Sequence, residues 1–204
     1  VSLRTGPDGA ARPYEVNISL IDALAGTEDG PDEFQVERFV CAHAIMLALE
    51  GIPGIYIHSL LGTSNDYEGL ARTGRYRSIN RRTWEWDELV GLLEDPASMQ
   101  SMILEKLRHL ITLRCEQPAF HPNAIQFTMQ LGLQIFGVWR ESIDRRQDIF
   151  SISNVTREHQ SLELANVNLV STDDWWDLIS GDRIEEGQTV LELRPYQTVW
   201  LTNK

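Results

Sequence analysis

Along this chain the hydrophobic period changes once, and that change constrains the fold more than any other feature. After Pro118, apolar residues recur at every second position. The runs Ile125 to Leu131, Gln134 to Glu141, Asp148 to Asn154, Gln160 to Leu164, Thr189 to Leu193 and Gln197 to Leu201 are short and separated by turn residues. A period of two puts successive side chains on opposite faces of a strand, so this stretch predicts an antiparallel β module. Before Pro118 the period is helical. Phe34, Phe39, Val40, Ile45, Leu47 and Leu49 predict a largely buried helix over Phe34 to Leu49, ended by Gly51. A second helix fits Trp86 to Leu93, and a third fits Ser98 to Cys115.

Between those helices lies Gly54-Ile-Tyr-Ile57, a short and fully apolar run. Such runs are strands buried on both faces of a parallel sheet. A parallel strand needs parallel neighbours, and residues 1–117 supply too few. A closed (β/α)8 barrel takes about 250 residues. The first part therefore reads as α/β, either a compact alternative or the tail end of a larger enzyme. The predicted division is residues 1–117 followed by a β domain over residues 118–204. Tyr14 to Leu20 alternates as a short strand or extended arm, and Ser59 to Thr83 reads as a long polar loop.

Charge and cysteine usage narrow the partners. The net charge is -12 at pH 7, which argues against nucleic acid, because affinity for a phosphate backbone comes mainly from basic residues. The most apolar stretch, Phe39 to Leu61, is interrupted by His43, Glu50, Pro53 and His58, so no membrane partner is expected. Val1 to Pro13 has neither a basic nor an apolar leader region. Cys41 and Cys115 both lie in helical patterns and read as buried thiols of a reducing compartment, the cytoplasm. No motif with metal-ligand spacing occurs, so no metal and no cofactor are expected.

All but two of the 18 basic residues are arginine, and Arg72, Arg75, Arg77, Arg81 and Arg82 fall within eleven positions. A guanidinium presents a fixed fork of donors that suits carboxylate, phosphate or sugar hydroxyls. Pairing with the helix acids Glu85, Asp87, Glu94 and Asp95 is the alternative, and spacing alone leaves both open. His58 is read either as a pocket residue or as a hydrogen-bonded structural histidine. Trp175, Trp176 and Trp200 are read either as a stacking platform for sugar or as core. Asp22, Asp29, Asp32 and Glu33 surround a linker and read as solvated surface.

Six segments in order carry a resemblance: Tyr14-Glu-Val-Asn17, Gly51-Ile-Pro-Gly-Ile-Tyr-Ile57, Leu60-Leu-Gly-Thr-Ser-Asn-Asp66, Arg77-Ser-Ile-Asn-Arg81, Ala119-Phe-His-Pro-Asn123 and Pro195-Tyr-Gln197. The chain resembles the C-terminal portion of the sucrose phosphorylase group within the α-amylase clan, glycoside hydrolase family 13. That resemblance implies that residues 1–117 are the closing segments of a (β/α)8 barrel, with Gly54 to Ile57 as its last strand. It implies that residues 118–204 are the family's C-terminal antiparallel β domain.

The resemblance also implies a retaining reaction. An aspartate attacks the anomeric carbon, a glutamate protonates the leaving oxygen, and inorganic phosphate, a co-substrate, releases glucose 1-phosphate. No segment here matches the motifs of those carboxylates, so no catalytic residue is assigned and the chain alone is expected to be silent. By resemblance, Arg77 holds a hydroxyl of the glucose in the donor subsite. Tyr14 and Glu15 match mobile-loop residues of the acceptor and phosphate subsite. A glutamate at position 15 is more usual among the glucosylglycerate and sucrose-phosphate enzymes than among strict sucrose phosphorylases. Asn65 and Asp66 face the same rim in this picture, with loop capping as the alternative. His58 completes the candidates.

Two function classes follow. One is part of a glucosyl phosphorylase acting on sucrose or a related α-glucoside. The other is a non-catalytic carbohydrate-binding or interaction module on the same fold. The expected partners are a small sugar and, for apolar surfaces left unpaired, a second copy or the missing barrel half.

Overall fold

The computed structural model describes residues 1–167 and 174–203. In chain order the first strands and helices are β1 (Ser2–Thr5), β2 (Ala11–Glu15), α1 (Leu20–Ala23), β3 (Gly26–Thr27), β4 (Gly30–Pro31) and α2 (Gln35–Ala48). Next come α3 (Ile57–Leu60), α4 (Tyr67–Thr73), α5 (Trp86–Glu94) and α6 (Met99–Glu116), with a 3-10 turn over Tyr76–Asn80. The strands β5 (Ile125–Met129), β6 (Ile135–Glu141), β7 (Asp148–Asn154), β8 (Gln160–Glu163), β9 (Trp176–Asp177), β10 (Val190–Leu193) and β11 (Thr198–Thr202) follow. The chain divides into two compact units: Val1–Gln35 with Ile55–Glu105, and Val36–Gly54 with Lys106–Lys204.

In the first unit, β1 and β2 form an antiparallel hairpin. Its turn closes through the Gly6 N–H to the Ala10 carbonyl (2.9 Å), with Gly9 at φ 78°. Ile21, Ile79 and Ile103 are buried apolar residues of this unit. The stretch read as a polar loop is largely ordered into turns of helix. Asp66 Oδ1 accepts from the Gly69 N–H (2.7 Å) and so caps α4, and Gly74 ends that helix in the left-handed region at φ 64°.

Gly54 to Ile57 does not pair as a strand in this chain. Tyr56 keeps an extended backbone (φ -71°, ψ 136°), but Tyr56 and Ile57 are exposed and α3 begins at Ile57. The physical reason is that a strand takes its hydrogen bonds from neighbours, and none lies beside this segment among the described residues.

The second unit holds a five-stranded antiparallel sheet in the order β5-β6-β7-β11-β9, beside the two-stranded β8–β10 pair. Ile135, Ile152, Leu162, Leu164, Leu193, Val199 and Leu201 belong to its apolar core. Alternation alone predicts a wet outer face, yet Ser151, Ser153 and Asn154 of β7 are buried as well. Helix α2 reaches that face: Cys41 Sγ lies 3.7 Å from the Asn154 carbonyl and 3.6 Å from Thr198 Oγ1. Burial raises the Cys41 thiol pKa. Cys115, by contrast, is exposed, which corrects its reading as a buried thiol. It lies off the stripe of Ile103, Leu107, Leu110 and Arg114 that α6 buries, because Arg114 takes the inward position beside it.

Two arginines organise the C-terminal end of α2. Arg140, fully buried, donates to the carbonyls of Ala48 (2.8 Å), His121 (2.9 Å) and Ile125 (3.4 Å). Arg114 donates to the carbonyls of Leu47 and Gly51. Together they satisfy helix-end acceptors that would otherwise be orphaned and place positive charge at the negative end of the helix. Burial, with Arg114 nearby as a second cause, pushes the Arg140 pKa down to about 10, which still leaves it charged at pH 7.

Candidate functional site

The first unit gathers the sequence-nominated residues around the open end of its hairpin. Tyr14 and Glu15 end β2, and Asn17 fixes the chain just beyond by donating from Nδ2 to Ser2 Oγ (2.8 Å) and to the Glu15 carbonyl (3.2 Å). Arg77 stands on the 3-10 turn, which is tied back by the Asp66 N–H to the Ile79 carbonyl (2.7 Å) and by the Tyr56 hydroxyl to the Asn80 carbonyl (3.3 Å). Arg77 Nε donates to Glu15 Oε2 at 3.0 Å. Glu15 raises the Arg77 pKa by hydrogen bond and by charge, with Tyr14 a smaller contributor. Both partners are solvent-accessible, with side-chain exposures of 55% and 33%.

The same unit opens a cleft of about 160 Å³ lined by Ile18, Ser19, Tyr56, His58, Thr63 and Asn80, among others. That is less than the roughly 300 Å³ at which complete small-ligand pockets begin, so it admits one end of a polar molecule. The His58 Nδ1 lies 3.3 Å from Thr63 Oγ1, which also accepts from Trp84 Nε1 (3.1 Å). Burial lowers the His58 pKa, which favours the neutral ring with its one donor and one acceptor.

Arg77, Glu15 and Tyr14 thus come together, and His58 lines a cleft that shares Asn80 with the 3-10 turn carrying Arg77. Asn65 and Asp66 serve as local ties: Asn65 Oδ1 accepts from the Ser19 N–H (2.8 Å), and Asp66 caps α4. Asp22 is not simple solvated surface, since its Oδ2 accepts from the Asn65 N–H (2.8 Å) and the residue is half-buried. Of the other arginines, Arg82 pairs with Glu88 (2.6 Å) and lies over the Trp84 ring, while Arg72, Arg75 and Arg81 are exposed. Thr63, Ser19 and Trp84 were missed, because a single threonine, serine or tryptophan carries no spacing signal. Trp200 is a core residue, buried with its ring edge on Phe120, and Trp175, half-buried, packs against the β core. Among the described residues, no three His, Cys, Asp or Glu side chains converge as metal ligands. No helix among them is long and apolar enough to cross a membrane.

No family model matches the chain. It is 34% identical, over 98% of its length, to a glucosylglycerate phosphorylase from Escherichia coli K12, of which it covers 34%. It is 32% identical to a sucrose phosphorylase from Agrobacterium vitis over 69% of this chain and 26% of that protein. The chain thus spans about a third of the length of the curated relatives that it matches across nearly its whole length. Among solved structures, the trehalulose synthase MutB from Pseudomonas mesoacidophila MX-45 is similar with a TM-score of 0.61 at 16% identity, over 81% of this chain and 38% of that one. That likeness, at such low identity, is one of fold: the closing α/β part of a barrel enzyme followed by an antiparallel β domain.

Proposed function

Because this chain belongs to the sucrose phosphorylase group of the α-amylase clan of glycoside hydrolases, we propose that it is the C-terminal portion of a retaining glucosyl phosphorylase acting on glucosylglycerate. Residues 1–117 would close the catalytic barrel and residues 118–204 would form its β domain. The reading is carried by one observation: Arg77 meets Glu15 in a chain that matches three glucosylglycerate phosphorylases across nearly its own whole length. Arg77 offers its fork to a glucose hydroxyl of the donor. Tyr14 and Glu15 border the place where the leaving group departs and phosphate enters, and His58 supplies a neutral polar wall.

The covalent steps belong to carboxylates outside these 204 residues. A carboxylate oxygen bonds the anomeric carbon as the glycosidic bond breaks, and an acid protonates the departing oxygen. A phosphate oxygen then bonds the same carbon, the ester bond to the enzyme breaks, and glucose 1-phosphate leaves. Inorganic phosphate is the co-substrate and no cofactor takes part.

A substrate panel tests this reading. The natural-length polypeptide is assayed for glucose 1-phosphate release with phosphate and glucosylglycerate, sucrose or sucrose 6-phosphate. Phosphorolysis with glucosylglycerate ahead of the other two is expected. Binding of a sugar without turnover would favour the non-catalytic module instead.

A further inference from the structure

The Arg77–Glu15 pair joins two segments that are far apart in sequence, and each end is held independently. Asn17 fixes the chain just past Glu15, and Asp66 ties down the 3-10 turn that carries Arg77. Arginine has several rotatable bonds, and an exposed arginine samples many of their combinations, which a ligand must freeze out on binding. A carboxylate on Nε removes much of that freedom beforehand and does not itself occupy the terminal amino groups of the fork.

We propose that Glu15 is a positioning residue for Arg77: its carboxylate holds the guanidinium so that the outer edge of the fork is set for the donor glucose before the donor arrives. This rests on the reading of Arg77 as a donor residue, and it adds a role for Glu15 on the donor side. The ordinary expectation for a residue bordering the acceptor is an effect on phosphate or acceptor binding alone. Positioning predicts an effect on the donor even when no acceptor is present. The pair is solvent-accessible, so the effect is modest, since exposed ion pairs are worth about a two- to fivefold change in an equilibrium.

The test uses the natural-length polypeptide and the hydrolysis of α-glucosyl fluoride without phosphate, which isolates the donor side. Glu15→Ala should raise the KM for the fluoride about two- to fivefold with kcat less affected. Glu15→Gln, which keeps an oxygen acceptor and the same length, should recover part of that loss and guards against a folding defect. On an Arg77→Gln background, Glu15→Ala should change the KM no further. If Arg77→Gln raises the donor KM and Glu15→Ala moves only the phosphate KM, the positioning role is overturned while the functional reading stands. Equal effects of Glu15→Ala with and without Arg77 would also overturn it. If the wild-type polypeptide transfers glucose from no donor, the functional reading fails first and the positioning role falls with it.

Discussion

At the scale of single residues, Arg77 differs from its neighbours in what surrounds it. Arg82 is already engaged by Glu88 and Trp84, and Arg75 is exposed, whereas Arg77 meets the hairpin residue that the family pattern nominates. Arg77→Lys keeps the charge and loses the planar fork. In the natural-length polypeptide it should lower kcat/KM for phosphorolysis by about tenfold or more, the scale of one charge-assisted hydrogen bond, while Arg75→Lys and Arg82→Lys stay near wild type. A variant series in which Arg82→Lys is the damaging change would move the donor contact elsewhere.

A second prediction at this scale concerns His43, buried in α2 with its Nδ1 2.9 Å from the Phe39 carbonyl. Burial lowers its pKa below the ordinary 6.5, partly offset by that hydrogen bond. The unfolded chain therefore takes up a proton near pH 6.5 while the folded chain resists it. Stability is full above that pH and declines as pH falls through 6.5 toward the lower folded value. Denaturant midpoints measured between pH 7 and pH 5 should fall, and His43→Gln should flatten that slope. An unchanged slope would assign the pH dependence to other groups.

Among elements, the boundaries of the long helices and of the strands read after Pro118 were legible in the hydrophobic period, because burial imposes the period directly. The run Asp148 to Asn154 is β7 in full, and the three long helices lie within a residue or two of their apolar stripes. Elsewhere the structure differs: the strand or arm read over Tyr14 to Leu20 is β2 only as far as Glu15, and α1 begins at Leu20. α4 is signalled by Asp66 and Gly74 at its ends, but it has too few apolar residues to show a period. Gly54 to Ile57 has the composition of a buried strand, yet composition cannot supply the neighbour that makes a strand. The site was legible only through its motif: the pairing of residues 15 and 77 crosses 62 positions, and no local pattern reports such a distance. The arginine caps on α2 were equally hidden, since Arg140 sits in a strand pattern as though it faced water.

That burial makes a testable claim about α2. Arg140→Met fills similar space but leaves three carbonyls without their charged donor. It should cost roughly 3 kcal/mol or more in denaturant unfolding, because hydrogen bonds to charged groups are worth more than neutral ones and buried acceptors are costly to orphan. A loss below about 1 kcal/mol would mean that water or a rearranged Arg114 replaces it.

On the scale of the whole molecule, apolar side chains before residue 118 lie exposed among the described residues. Tyr56 ends an extended stretch without a ladder among the described residues, Ile57 opens α3 exposed, and Ile52 and Trp86 are 87% and 74% exposed. Unpaired strand segments and exposed apolar side chains promote association. The isolated 23.3 kDa chain should therefore elute ahead of a monomer in size-exclusion chromatography, or be cut by protease before residue 118 in limited proteolysis. A sharp monomer resistant to cleavage there would show that these surfaces are self-sufficient. The central claim, that this chain contributes substrate-holding residues to chemistry performed by other residues of the same enzyme, is tested most directly by measuring glucose 1-phosphate release side by side. With phosphate and glucosylglycerate, the natural-length polypeptide should turn over at about 1 per second or faster, and the 204-residue chain alone should release none. Turnover of that order by the isolated chain would contradict the account.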